Sequence, residues 1–304
     1  MNIVEKLLEK GKLISPEVYS RINEEDIEKL LEGDEFLITK ILPKIRVIRE
    51  DGDKIKKIED FVDVYRERFK YLSSLIKEKL DMKRMVSLNK LPPNSEVCVI
   101  GMVRDLEENG AVIEDTTGST RIITDSTLIE DEVIGVEGVT DRGNIIVKRI
   151  IHPDIPLGRE VVLTENDRLC LFTSGEVPKK NVDVIFTTTP DLERNDVKVI
   201  HVNEPVTVEM ENVRIFLAPS DYSGYIKKFG DPQRALVELV RRRHLNPTGK
   251  IISKFDPYLL KEIPDVIYAP MGSTFTLNYK TVTLVSTGSD GSVLLNLRNR
   301  EVVQ

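Results

Sequence analysis

The sequence predicts a multidomain protein of mixed α+β and α/β class, and three observations carry that reading. Apolar residues recur every three or four positions from Phe61 to Leu80, the mark of an amphipathic helix. Five short β-branched runs, separated by turns such as Asn109-Gly110, crowd into residues 96–150. Beyond residue 160 strand-like runs alternate with few helices, as in a sheet-rich α/β domain. The chain has 304 residues, enough for more than one core, and its 40% hydrophobic and 31% charged content describes globular domains.

Residues 1–42 read as a small helical domain. Ile3, Val4, Leu7 and Leu8 share one face, and Gly11 stops that helix. Ser15 caps a second helix, opened by Pro16 and running through Val18, Tyr19 and Ile22; Asn23 caps a third, EEDIEKLLEG. Acidic residues crowd the exposed faces, which favours a docking bundle over a DNA-binding helix-turn-helix. Residues 43–85 read as a charged connector, Pro43 to Lys57, followed by a long helix from Glu59 to Leu80. Phe61, Tyr65, Phe69, Leu72, Ile76 and Leu80 form its expected buried stripe, and Arg66, Glu67, Lys70, Lys77 and Glu78 its solvated face.

Residues 86–152 hold the runs EVCVIGMV, GAVIEDT, STRIIT, EVIGVEG and NIIVKRI, which predict a five-stranded OB-type β-barrel. OB barrels that bind single strands stack bases on aromatics in a basic groove. Residues 95–150 contain no Phe, Tyr or Trp, and five basic residues face twelve acidic ones. A protein-docking or structural role fits better than single-strand binding. After a Pro-rich linker, HPDIPLGRE, residues 153–304 predict strands near 168–173, 182–186, 197–201, 206–209, 213–218, 266–268, 282–286 and 293–297. One helix, 232–244, is capped by Asp231-Pro232, with Ala235, Leu236, Leu239 and Val240 facing the core.

The net charge of −7 argues against a protein whose main task is wrapping nucleic acid. Cys98 and Cys170 sit in apolar runs and read as buried thiols. No apolar run approaches a membrane span and the N-terminus lacks a signal-peptide core, so a cytoplasmic setting and no membrane partner are expected. Only His152, His201 and His244 are available as imidazole ligands, and no two are close in sequence. His201 reads as a core or edge residue, and His244 as a cationic ring at a helix C-terminus. The run Arg241-Arg242-Arg243 admits several readings: pairing with Glu238, covering apolar surface, or contacting a phosphate or an acidic partner. No P-loop and no Gly-x-Ser-x-Gly elbow occurs. The loop Ala269–Thr274, between two predicted strands, carries no chemical tools: residues 269–278 contain no His, Asp, Glu or Cys.

Three segments together resemble one family. DVYRERFKYLSSLIKEKL leading into EVCVIGMV and IEDTTGSTRII is similar to the helix, linker and barrel of the small, B-type accessory subunit of archaeal D-family DNA polymerase. RRRHLNP and PDVIYAPMGS resemble its C-terminal motifs. The resemblance implies that 153–304 is a shortened calcineurin-like phosphoesterase sandwich, a fold whose intact members carry a two-metal site. It also implies where that site is lost. Gly175 and Val177 stand where an Asp and a His belong, Ala218 and Pro219 where a His-Gly pair belongs, and Pro270, Met271 and Ser273 within the former Gly-His-x-His loop. The expectation is a non-catalytic accessory subunit without metal or other cofactor. Its implied partner is a DNA polymerase catalytic subunit or another replisome protein, with DNA engaged mainly through the complex. Two alternatives stay open: an active 3′–5′ exonuclease relying on Glu176, Asp191 or Asp221, and a single-strand-binding barrel protein.

Overall fold

The computed structural model of the chain describes residues 3–19, 36–38, 43–49, 52–175, 177, 181–194 and 197–303. It divides into two compact units, Met1–Lys44 and Ile45–Gln304. In the first, α1 (Ile3–Glu9) ends before Gly11, whose φ of 72° suits a residue without a Cβ. Strand β1 (Leu13–Ile14) follows, then the short α2 (Pro16–Tyr19), where the Ser15 hydroxyl accepts the Val18 N–H. Strand β2 (Leu37–Ile38) pairs parallel with β1, a pairing the sequence did not suggest. The helix expected after Asn23 lies outside the described residues.

The second unit opens with a correction. The charged connector contains a strand, β3 (Ile45–Ile48), which pairs antiparallel with β12 (Val206–Met210) at the edge of a large sheet. The alternation of Ile45, Val47 and polar residues carried that signal, but it was outweighed by the surrounding lysines. Helix α3 (Ile58–Lys77) follows. Its buried residues are Val64, Arg68, Leu72 and Ile76, so the true stripe is rotated from the expected one. Phe61 is 41% exposed, and Tyr65 and Phe69 are half-buried beside Met102 and Arg104 of the barrel. Hydropathy could not see the rotation because the stripe includes an arginine.

The five barrel strands are β4 (Glu96–Glu107), β5 (Gly110–Glu114), β6 (Ser119–Ile123), β7 (Val133–Asp141) and β8 (Asn144–Ile151). They close in the order β4-β5-β6-β8-β7, with β6 and β8 parallel. Val97, Val99, Val103, Ile113, Ile122, Ile134 and Ile145 fill the interior. Helix α3 seals the outside through Leu72 and Ile76 against Cys98, Met102 and Val133. The approach is close: a Cβ on Gly135 would stand 2.6 Å from Ile76 Cγ2, so glycine lets helix and strand touch.

The remaining strands form two sheets. One has the order β11-β10-β9-β17-β18, from β9 (Leu169–Thr173), β10 (Val184–Thr187), β11 (Lys198–His201), β17 (Ser292–Asn296) and β18 (Glu301–Val302). The other runs β15-β16-β14-β13-β12-β3. It uses β12 (Val206–Met210), β13 (Val213–Leu217), β14 (Val266–Tyr268), β15 (Phe275–Tyr279) and β16 (Val282–Ser286). The sheets share a core in which Phe172 and Phe186 meet Val208, Ile215, Tyr268 and Val285. Helices α4 (Ser223–Phe229) and α5 (Pro232–Arg241) cover the other face of the six-stranded sheet. Asp231 caps α5 by accepting the Arg234 N–H. Pattern reading also missed α4, only seven residues long, β15, whose side chains are mostly half-buried, and the two-residue β18. The α5 helix also ends earlier than expected, at Arg241, because Arg243 takes a φ of 58°.

Candidate functional site at the strand ends and the arginine junction

Strands β9 and β10 run parallel in one sheet and β14 and β16 run parallel in the other, and their C-terminal ends deliver residues 173–175, 187–189, 268–274 and 286–288 to loops. Such strand ends are where α/β domains place ligands. Here they hold hydroxyls. Ser174 Oγ lies 2.5 Å from Thr287 Oγ1 and 3.3 Å from Tyr268 Oη, and Tyr268 Oη lies 2.7 Å from Thr287 Oγ1. Thr188 donates to Ser174 Oγ at 2.9 Å. Beside them Ser286 Oγ accepts the Met271 N–H and donates to the Ser273 carbonyl. Tyr268, Ser286 and Thr287 are fully buried. The cluster is neutral and satisfies itself.

The positions that the resemblance matches to metal ligands fall in several surroundings, only some of them near this cluster. A Cβ on Gly175 would come within 2.7 Å of Asp290 Cα, because the Gly288–Gly291 turn lies against it and the Gly291 carbonyl accepts the Ser174 N–H. A carboxylate there would have to displace backbone. Val177 packs on the outer face of the five-stranded sheet. Ala218 and Met271 are core residues packed with α4 and α5. Pro219 presents its carbonyl to the Tyr258 hydroxyl, Pro270 is half-buried, and Ser273 is exposed. Asp191 is exposed in a turn at φ 57°, Asp221 is exposed and caps the Ser223 N–H, and Glu176 lies outside the described residues. Among the described residues no group of three or more His, Cys, Asp or Glu could hold a metal ion. Apolar packing and neutral hydroxyls do not fit a two-metal centre, which needs anionic and imidazole donors.

The arginine run turns mostly inward, and of its open readings the pairing with Glu238 is present for Arg241 and Arg242. Arg242, Arg243 and His244 are 2–3% exposed. Arg242 Nε meets Glu132 of the barrel at 2.5 Å; its Nη1 meets Glu238 at 2.5 Å and its Nη2 donates to the Thr127 carbonyl. Arg243 donates to the carbonyls of Leu260 and Lys261 and to Tyr71 Oη on α3. Only Arg241, its side chain 40% exposed, keeps an open face, with Glu238 3.4 Å away.

His244 is not the cationic helix-end ring the sequence suggested. Its Nδ1 accepts the Asn246 N–H, and its Nε2 lies 2.8 Å from Asp256 Oδ2, which fixes a neutral tautomer donating to the carboxylate. Burial lowers its pKa against the opposing pull of Asp256. Asp256 also receives Arg68 from α3, at 2.7 Å from Nε and 2.6 Å from Nη2, and Arg68 Nη1 donates to the Pro247 carbonyl. Burial alone would raise the Asp256 pKa, but His244 and Arg68 hold it well below the carboxylate range. Burial pushes the Glu132 carboxyl up while Arg242 pulls it down. Helix, barrel and sheets are thus tied by buried charge. Arg68, Asp256 and Glu132 escaped sequence reasoning; the available signal was an arginine set four residues from Val64 and from Leu72. His201 is an exposed residue at the end of edge strand β11.

No protein-family model matches the chain. Three archaeal proteins named DNA polymerase II small subunit are similar to it. That of Archaeoglobus fulgidus is 31% identical over 111 residues, covering 33% of this chain and 22% of the relative. That of Methanocaldococcus jannaschii is 31% identical over 144 residues, covering 39% and 24%. That of Halobacterium salinarum is 29% identical over 114 residues, covering 32% and 22%. The chain therefore spans under a quarter of the length of these relatives. A solved structure of the telomere capping protein Ten1 from Saccharomyces pombe aligns with 22% of this chain and 77% of its own, at 14% identity and a TM-score of 0.21. Over about a third of its length, the chain is a divergent relative of the archaeal DNA polymerase II small subunits.

Proposed function

We propose that this protein is a non-catalytic accessory subunit that binds and positions a DNA polymerase catalytic subunit or another replication protein. The observation that carries the reading is its similarity to the polymerase small subunits. In this reading the closed barrel is an OB-type domain, supported by its five strands and the parallel closure of β6 on β8. The two-sheet body is a degenerate phosphoesterase sandwich, its strand ends closed by hydroxyls and core packing. DNA is engaged mainly through the complex. On the barrel, Arg104, Arg121, Lys148 and Arg149 pair with Glu114, Glu107, Glu96 and Glu137, so four of the five basic residues are already neutralised. That leaves little free charge to follow a phosphate backbone. What the fold offers instead is a body braced by buried ion pairs.

The deciding experiment uses the purified full chain as bait in an extract of its native organism. Recovery of a polymerase subunit or replication protein is expected. Recovery of none, with the bait still folded, overturns the reading. Manganese-dependent nuclease activity of the pure protein, lost on Asp191→Ala, would overturn its non-catalytic part.

A further inference from the structure

The inward turn of the arginine run leaves a polar cavity of about 250 Å³ between helix α5 and the barrel. Arg234, Glu238 and Arg241 line it from the helix at spacings of four and three residues, one face of an α-helix. Ser126, Thr127 and His152 line it from the barrel side. Arg242 forms its wall, held by Glu132 and Glu238.

Two features of this cavity point to an anion. First, three guanidinium groups, Arg234, Arg241 and Arg242, face two carboxylates, Glu132 and Glu238, leaving one positive charge in excess. Lys79 adds a further cation behind His152, donating to the carbonyls of His152 and Pro153. Second, His152 is only 8% exposed, and among the described residues its Nδ1 has no hydrogen-bond partner, with Glu132 Oε2 3.6 Å away. A buried ring nitrogen without a hydrogen bond costs free energy that a polar group of a ligand can recover.

We propose that this cavity binds a phosphate-type oxyanion, gripped by Arg234 and Arg241, with the Ser126 and Thr127 hydroxyls and His152 completing the site. Arginine forks suit a tetrahedral oxyanion because paired N–H groups match two of its oxygens. The occupant is either free phosphate or a phosphate group of a nucleic acid, and both present the same chemistry. The site stands apart from the accessory-subunit reading and survives its failure.

Titration of the full chain with inorganic phosphate, by calorimetry and by phosphorus NMR line broadening, tests it. Saturable binding is expected, weakened about tenfold or more by Arg234→Gln and by Arg241→Gln, the scale of a lost charge-assisted hydrogen bond. Both side chains reach solvent, so the variants keep the fold, which circular dichroism checks. Arg66→Gln, on α3 and outside the cavity, leaves the titration unchanged. A 5′-phosphorylated oligonucleotide that binds more tightly than its unphosphorylated twin, with the same arginine dependence, identifies nucleic acid as the source. Equal binding of the two oligonucleotides, with phosphate still saturable, identifies free phosphate. Binding that never saturates, or that is identical in all three variants, overturns the proposal.

Discussion

The strand ends of the sandwich and the junction between helix, barrel and sheets both bury polar groups, but by opposite means. At the strand ends Ser174, Tyr268, Thr188 and Thr287 are neutral hydroxyls that donate and accept among themselves. At the junction Arg68, Asp256, Arg242 and Glu132 are charges with little or no exposure. A neutral network loses little when one member changes, because hydroxyls rotate and desolvation of each is modest. A buried charge pair is unforgiving, since removing one partner strands the other in a low-dielectric interior. The comparison separates a region filled in for packing from one that holds separate layers in a fixed relation.

The largest effect is expected where that relation is broken. Asp256→Ala leaves the Arg68 guanidinium buried without its carboxylate and should cost about 3–5 kcal/mol, read by urea denaturation. The double variant Arg68→Met with Asp256→Ala should recover much of that loss, since an apolar side chain of similar length replaces the unpaired charge. A single variant that unfolds at the same urea concentration as the parent would show that the pair contributes nothing.

The same charges set the pH response. Burial lowers the pKa of His152, with Arg242, Arg241 and Lys79 adding to it, and burial also lowers that of His244. The unfolded chain takes up these protons near pH 6.5 and the folded chain resists them, so stability is present above that pH and is lost as pH falls below it. Each histidine can contribute a slope of up to about 1.4 kcal/mol per pH unit. Asp256, whose folded pKa is depressed, adds a further loss only below about pH 4, as its carboxylate protonates. Unfolding free energies measured from pH 7.5 to 5.5 should therefore decline, and His152→Gln should flatten the decline. A flat profile in the parent would contradict the buried, neutral state of both rings.

How much of this was legible in the sequence follows the same division. The barrel strands, the α5 cap at Asp231 and the strands around the 269–274 loop were readable because each is local: a run of β-branched residues, a turn, a capping side chain. The absence of ligand-type side chains at Met271 and Ser273 was readable directly from the residue types. What fills the space was not, because Tyr268, Thr287 and Ser174 meet across 94 and 113 residues of chain. Arg68 went unremarked for the same reason. Its partner Asp256 lies 188 residues away, and a hydropathy stripe treats any arginine as a surface residue.

A moderate effect is expected from placing ligand-type side chains at the strand ends. Gly175→Asp must push against the backbone at Asp290, and an overpacked site of this kind costs about 1–3 kcal/mol. Combined with Met271→His, it places an imidazole among the core contacts of α4 and α5 rather than beside a cation. Manganese should not raise the melting temperature of the double variant. A manganese-dependent rise would show that the strand ends still converge well enough to hold an ion.

The smallest effect belongs to the hydroxyls themselves. Thr287→Val removes one hydroxyl while keeping the shape, and leaves Ser174 and Tyr268 within 3.3 Å of each other. The loss should be about 1 kcal/mol, the usual net worth of a hydrogen bond. Adding Ser174→Ala and Thr188→Val should cost less than the sum of the three single changes, because groups removed together leave fewer unsatisfied partners behind. Strict additivity would mean that the hydroxyls act one by one on separate neighbours. Sub-additivity would mean that they act as one network, with Tyr268 at its buried end, closing the strand ends as a unit.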